Sequence, residues 1–111
     1  MAILQILNQA KGPLPLKATF NAPSDGPTYF TLAGSVWSST ANQMIGVSLE
    51  IDGKTIGSAE IYSNGVSEHR AMVPVQITTT LTIGAHTLTL VPLNAATISD
   101  FNDVYNVSLF F

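Results

Sequence analysis

The sequence predicts an all-β fold, and three observations carry that reading. Apolar residues alternate with period two along most of the chain, and the alternating runs are rich in Thr, Val, Ile and aromatic residues. Clusters of Gly, Pro, Asn and Asp break these runs at short intervals, and nothing has a helical period beyond a turn over 95–100. At 111 residues the chain has the length of one domain, so residues 1–111 are read as one β-sandwich domain.

Taken in order, the first two candidate strands are 3–7 and 16–20, separated by the turn signal Lys11, Gly12, Pro13. Over 29–37, Phe30, Leu32, Gly34 and Val36 share one face and Tyr29, Thr31, Ala33, Ser35 and Trp37 the other. Over 44–51, Ile45, Val47, Leu49 and Ile51 alternate with polar or small residues. Asp52 and Gly53 then supply the two positive-φ positions of a tight hairpin. The return strand, 54–62, changes face between Ile56 and Ala59, which predicts a bulge at Gly57. Ala71, Val73, Val75 and Ile77 form a further stripe, and Pro74 within it argues for an edge strand or a bulge. The last strands are 86–91, with Leu88 and Leu90 inward, and 104–111, striped by Tyr105, Val107, Leu109 and Phe111. About eight antiparallel strands in a chain of this length predict a two-sheet sandwich, with a jelly roll favoured over an immunoglobulin-like topology.

Only 10% of residues are charged, against about 25% in an ordinary globular chain. So few charges cannot cover the surface, and part of it is expected to be an interface. The formal charge of −3 offers no basic patch, which argues against nucleic acid and against an anionic membrane surface as partners. Cysteine is absent, excluding disulfides, thiolate metal sites and a cysteine nucleophile. The apolar start is too short and lacks the basic residues of a Sec signal, and no run is long enough for a spanning helix. Localisation is otherwise open, with a virion or other extracellular particle as one expectation.

Polar residues gather in two places. Ser67, Glu68, His69 and Arg70 concentrate the only arginine with a histidine and a carboxylate at a strand start, suited to a polar pocket or an interchain ion pair. Ser99, Asp100, Phe101, Asn102 and Asp103 offer oxygen ligands of the kind calcium takes, although Asp and Asn are equally ordinary turn residues. His69 and His86 could meet across strands, but two histidines without a third ligand assign no metal site. Trp37, Tyr29 and Tyr62 could stack on sugar rings, and a polar loop follows Trp37. No nucleophile elbow is present, and only the two histidines could serve a serine as base, so no catalytic residue or cofactor is assigned. Ligand or interface candidates are therefore Trp37, Tyr62, Glu68, His69, Arg70, Asp100, Asn102 and Asp103.

The run 29–37, the hairpin at Asp52 and Gly53, the run 81–90 and an aromatic-ending strand over 104–111 together resemble the tumour-necrosis-factor/C1q-type jelly roll. That resemblance spans nearly the whole chain and implies a compact trimer whose aromatic faces meet at the three-fold axis. The expectation is a non-enzymatic assembly module, a homo-oligomeric jelly-roll subunit of virion-decoration or fibre-head type. The alternative is a small carbohydrate-binding lectin domain.

Overall fold

The computed structural model describes residues 2–111, which form nine strands and no helix. These are β1 (Ile3–Lys11), β2 (Leu16–Ala22), β3 (Gly26–Val36), β4 (Gln43–Ile51), β5 (Lys54–Ser63), β6 (Arg70–Ala71), β7 (Val75–Leu81), β8 (Gly84–Pro92) and β9 (Val104–Phe110). One antiparallel sheet runs β1-β9-β3, with β7 and the short β6 both on the far edge of β3; the other runs β2-β8-β4-β5. The β4–β5 hairpin stays within its sheet, whereas the links β1–β2, β2–β3, β3–β4, β5–β6, β7–β8 and β8–β9 all pass between sheets. This wrapping makes the sandwich a jelly roll.

The alternation read from the sequence fixes which face is inward. Phe30, Leu32 and Val36 of β3 face Ile45, Val47 and Leu49 of β4 and Leu88 and Leu90 of β8, all fully buried. Each such side chain taken out of water contributes about 1.5–3 kcal/mol. Phe20 and Phe30 meet edge to face at 5.9 Å and tie the sheets together. Asp52 and Gly53 have φ of 52° and 83°, the left-handed pair that the β4–β5 turn requires. Gly34 lies directly opposite Tyr105, whose fully buried ring occupies the place a Cβ would take.

Three expectations need correction. The stripe 71–77 is not one strand: Pro74 cannot donate to the ladder, and the edge breaks into β6 and β7. At the break the Val73 amide donates to the Glu60 carbonyl of the opposite sheet, and the phase flips so that Met72 is buried while Val73 is exposed. The extra residue in β5 is Ile56 rather than Gly57, because Leu49 pairs with Gly57 and Glu50 with Thr55. The first strand also runs on to Lys11, through register shifts between Gln5 and Ala10.

Candidate functional site

The wrapping gives the sandwich two unlike ends. One carries short turns, at 23–25, Asp52 and Gly53, and 82–83. The other gathers the longer connections 12–15, 37–42, 64–69 and 93–103. Both polar clusters of the sequence lie at this loop end, brought together because the β5–β6 and β8–β9 connections close over the finish of β3.

Asp103 is the centre of the loop end. It is fully buried, and its Oδ1 accepts from the Ser35 hydroxyl (2.8 Å) and from His69 Nδ1 (2.7 Å), while Oδ2 accepts from the Asp100 amide (2.9 Å). The Gly12 amide donates to its carbonyl at 2.9 Å, and its own amide donates to the Asp100 carbonyl at 3.0 Å. One side chain thereby joins β3, the 64–69 loop and the approach to β9. The Asp100 carboxylate is split: Oδ1 accepts the Asn102 amide at 2.8 Å, an Asx turn, and Oδ2 stands 3.8 Å from His69 Nε2. The Trp37 ring lies 5.7 Å from the His69 ring, and the Trp37 backbone is held by a two-bond bridge to Ile98. Beneath the cluster, Tyr105 donates to or accepts from Ser99 at 2.7 Å, and burial pushes its phenol up to about 12.

Of the residues singled out in the sequence, the structure thus brings together Trp37, His69, Asp100 and Asp103. Asn102 belongs to the same turn, but it contributes its backbone amide and its side chain is exposed. Asp100 and Asp103 each bring a carboxylate oxygen within 4.8 Å of the other and of a His69 ring nitrogen, while both Asp103 oxygens already accept from protein donors. Glu68 and Arg70 adjoin the cluster and pair with each other at 3.8 Å, an exposed contact within the chain. Arg70 Nε and Trp37 Nε1 are buried without a hydrogen-bond partner among the described residues. Tyr62 stands apart on the outer face of the other sheet, beside Met44.

His86 does not meet His69. It sits at the turn end, where Nδ1 bonds Asp52 Oδ2 at 2.6 Å, Nε2 bonds the Thr82 carbonyl at 2.7 Å, and the ring stacks on Phe20. The Thr82 carbonyl first and the Asp52 carboxylate second hold its pKa above the usual histidine value. Asp52, bonded by the Thr87 amide and then by His86, is held below the usual carboxylate value. Every polar group of this pair is satisfied, so it serves as a structural clamp on the hairpin. Among the described residues, the hydrogen-bond partners of the two histidines are Asp103, Asp52 and the Thr82 carbonyl, none of them a serine.

Sequence reasoning missed a second feature, on the outer face of the five-stranded sheet. Strand register sets Ile3, Phe110, Tyr29 and Thr78 abreast across β1, β9, β3 and β7. The next outward row is Gln5, Ser108, Thr31 and Gln76. Tyr29 and Phe110 stack with ring centroids 4.8 Å apart and planes within 6°. Beside them a groove of about 470 Å³ is lined by Tyr29, Thr78, Thr80, Phe110 and Phe111 among others. Tyr29 was legible as an aromatic of the outward face; that Phe110 lies beside it follows only from the register.

No protein-family model and no curated protein matches the chain. Solved structures do. The chain is similar to the carbohydrate-binding module CBM35 from Cellvibrio japonicus Abf62, with TM-score 0.54 and 14% identity over 99% of this chain and 94% of that one. It is similar to the EclA C-terminal domain, a sugar-binding protein, with TM-score 0.53 and 19% identity over 97% and 76% of the two chains. It also matches part of a β-glucosidase from Paenibacillus barengoltzii, with TM-score 0.61 and 15% identity over 98% of this chain but 10% of the enzyme. The chain likewise spans only 12% of the PorU structure it matches. None of these is of tumour-necrosis-factor/C1q type, so the jelly-roll part of that resemblance stands without the trimeric family. At these identities the likeness establishes the fold, a jelly-roll β-sandwich shared with carbohydrate-binding modules.

Proposed function

We propose that this protein is a non-enzymatic carbohydrate-binding module that holds an uncharged glycan on the outer face of the five-stranded sheet. The observation that carries the proposal is the pair of rows on that face. A stacked Tyr29–Phe110 pair beside a groove gives apolar ring surface for the C–H faces of a sugar. Gln5, Ser108, Thr31 and Gln76, one row along, give hydroxyl and amide groups that both donate and accept, as sugar hydroxyls require. No side chain in either row is charged, which suits a neutral ligand. Jelly-roll neighbours that align over most of both chains are sugar-binding modules, in support of the same reading.

Isothermal titration with neutral oligosaccharides found on a glycan array tests it. Tyr29→Ala is expected to weaken binding about tenfold, since the loss of one stacking ring with its contact area is worth roughly 1.4 kcal/mol. Absence of any neutral glycan ligand, or full affinity in a folded Tyr29→Ala protein, refutes the proposal.

A second reading is that copies of the chain associate through this face. Ile3, 63% exposed at the end of the aromatic row, favours it. Light scattering on a sizing column separates the two: a dimer or trimer reduced to monomer by Ile3→Lys supports assembly, and a concentration-independent monomer removes it. The low charge density that motivates the virion-decoration role is accounted for equally by the glycan reading.

A further inference from the structure

Asp103, buried and saturated with donors, does more than close a loop: it fixes the tautomer of His69. The carboxylate oxygen 2.7 Å from Nδ1 can only accept, so Nδ1 carries a proton and the neutral ring presents a bare lone pair at Nε2. That lone pair stands 3.8 Å from Asp100 Oδ2, too far for a hydrogen bond. The other Asp100 oxygen is occupied by the Asn102 amide, which holds the carboxylate in place. Two electron-pair donors from separate loops thus stand 3.8 Å apart, each side chain held by a bond to its other atom. The His69 side chain is 35% exposed and that of Asp100 40%, so the point between them opens to solvent.

From this geometry we infer a divalent transition-metal site at the loop end, with His69 Nε2 and Asp100 Oδ2 as ligands and Asp103 as the carboxylate that orients the histidine. Metal–nitrogen and metal–oxygen bonds of about 2.0–2.2 Å place a Zn²⁺-sized ion between donors at this spacing. A carboxylate accepting from the far ring nitrogen is the usual support of a ligating histidine. One imidazole and one carboxylate select Cu²⁺, Ni²⁺ or Zn²⁺ over Ca²⁺, which takes six to eight oxygens. Water completes the coordination on the exposed side. The site is separate from the glycan face, so either can fail without the other.

The protein reports on this site itself. Its single tryptophan, Trp37, has its ring 5.7 Å from that of His69, close enough for a bound Cu²⁺ ion to quench its fluorescence. Titration of the full chain with Cu²⁺ at neutral pH is expected to quench Trp37 saturably at one equivalent, with Zn²⁺ competing and Ca²⁺ and Mg²⁺ not. His69→Ala abolishes the saturable phase, Asp100→Asn weakens it at least tenfold, and His86→Ala leaves it intact. Asp103→Asn keeps the shape but can donate to Nδ1, moving the ring proton to Nε2; affinity then falls about 10–100-fold, the range for loss of an orienting carboxylate. Circular dichroism of each variant confirms that it is folded. Quenching that survives in folded His69→Ala or Asp100→Asn, or competition by Ca²⁺ as effective as by Zn²⁺, overturns the assignment.

Discussion

Removing the Asp103 carboxylate tests whether the loop end is held by one buried side chain. Asp103→Ala leaves three donors without their acceptor: the Ser35 hydroxyl, His69 Nδ1 and the Asp100 amide. Hydrogen bonds to a charged group contribute about 1.5–3 kcal/mol each, and a buried donor left unpaired costs about 1–3 kcal/mol. All three donors are only part-buried and recover some water, so the sum is dominated by the lost charge-assisted bonds and by the cavity. The expected loss is roughly 3 kcal/mol, a large share of the 5–15 kcal/mol typical of a domain. At about 4–8 °C per kcal/mol for a chain near this size, the melting temperature should fall by roughly 12–24 °C. Urea unfolding followed by Trp37 fluorescence gives the free energy directly. Asp103→Asn, which retains the volume, an acceptor for the Asp100 amide and donors for its other two neighbours, should lose well under half as much. Stability of Asp103→Ala within about 0.5 kcal/mol of wild type, the range of an ordinary surface substitution, would refute the clamp.

The Asp52–His86 pair makes stability depend on pH in a definite direction. His86, its pKa raised in the fold, stabilises fully below its unfolded value of 6.5 and loses this as pH rises through the folded value; Asp52, lowered, stabilises above 3.8 and loses this as pH falls. Asp52→Asn preserves the left-handed turn, so its melting temperature should vary less than that of wild type between pH 6 and about pH 8, a difference read by calorimetry at both pH values. Gly34→Ala drives a methyl to 2.4 Å from the Tyr105 ring and 2.7 Å from the Val104 carbonyl. Because backbone as well as ring must shift, about 1–3 kcal/mol should be lost in urea denaturation. Tyr105, with its pKa pushed up to about 12, should supply one phenolate that appears late in an ultraviolet titration of the three tyrosines.

What the sequence disclosed was whatever depends on neighbours along the chain. The β4–β5 hairpin is legible because strict alternation over 44–51 and the Asp52–Gly53 turn are local and agree. The stripe 71–77 misleads because it continues through Pro74 with the right residues, while the edge breaks there and one extra residue inverts the faces. Beyond Leu7, the first strand continues through a bulge where Gln9 adopts φ of 50° and bonds the Asn106 side chain, a partner 97 residues away that no local pattern announces. The site divides the same way. Scarcity of charge drew attention to Glu68, His69 and Arg70 and to Asp100 and Asp103, but their meeting across 34 residues depends on which loops the jelly roll gathers at one end. The pairing of His69 with His86 failed for that reason, since strand order sends His86 to the opposite end.

The two regions differ in a way that salt should expose. Neither row of the sheet face carries a charge, so a glycan held there is bound through ring stacking and neutral hydrogen bonds, which a Debye length of about 8 Å at physiological ionic strength leaves untouched. At the loop end, Glu68, His69, Arg70, Asp100 and Asp103 lie close together. Any anionic sugar bound beside Arg70 would rest on charge that salt screens. Affinity for a neutral oligosaccharide should therefore be the same within twofold at low salt and at about 1 M, where the Debye length has shrunk to about 3 Å. A steep fall with salt, accompanied by loss of binding in Arg70→Gln and not in Tyr29→Ala, would move the ligand from the sheet face to the loop end.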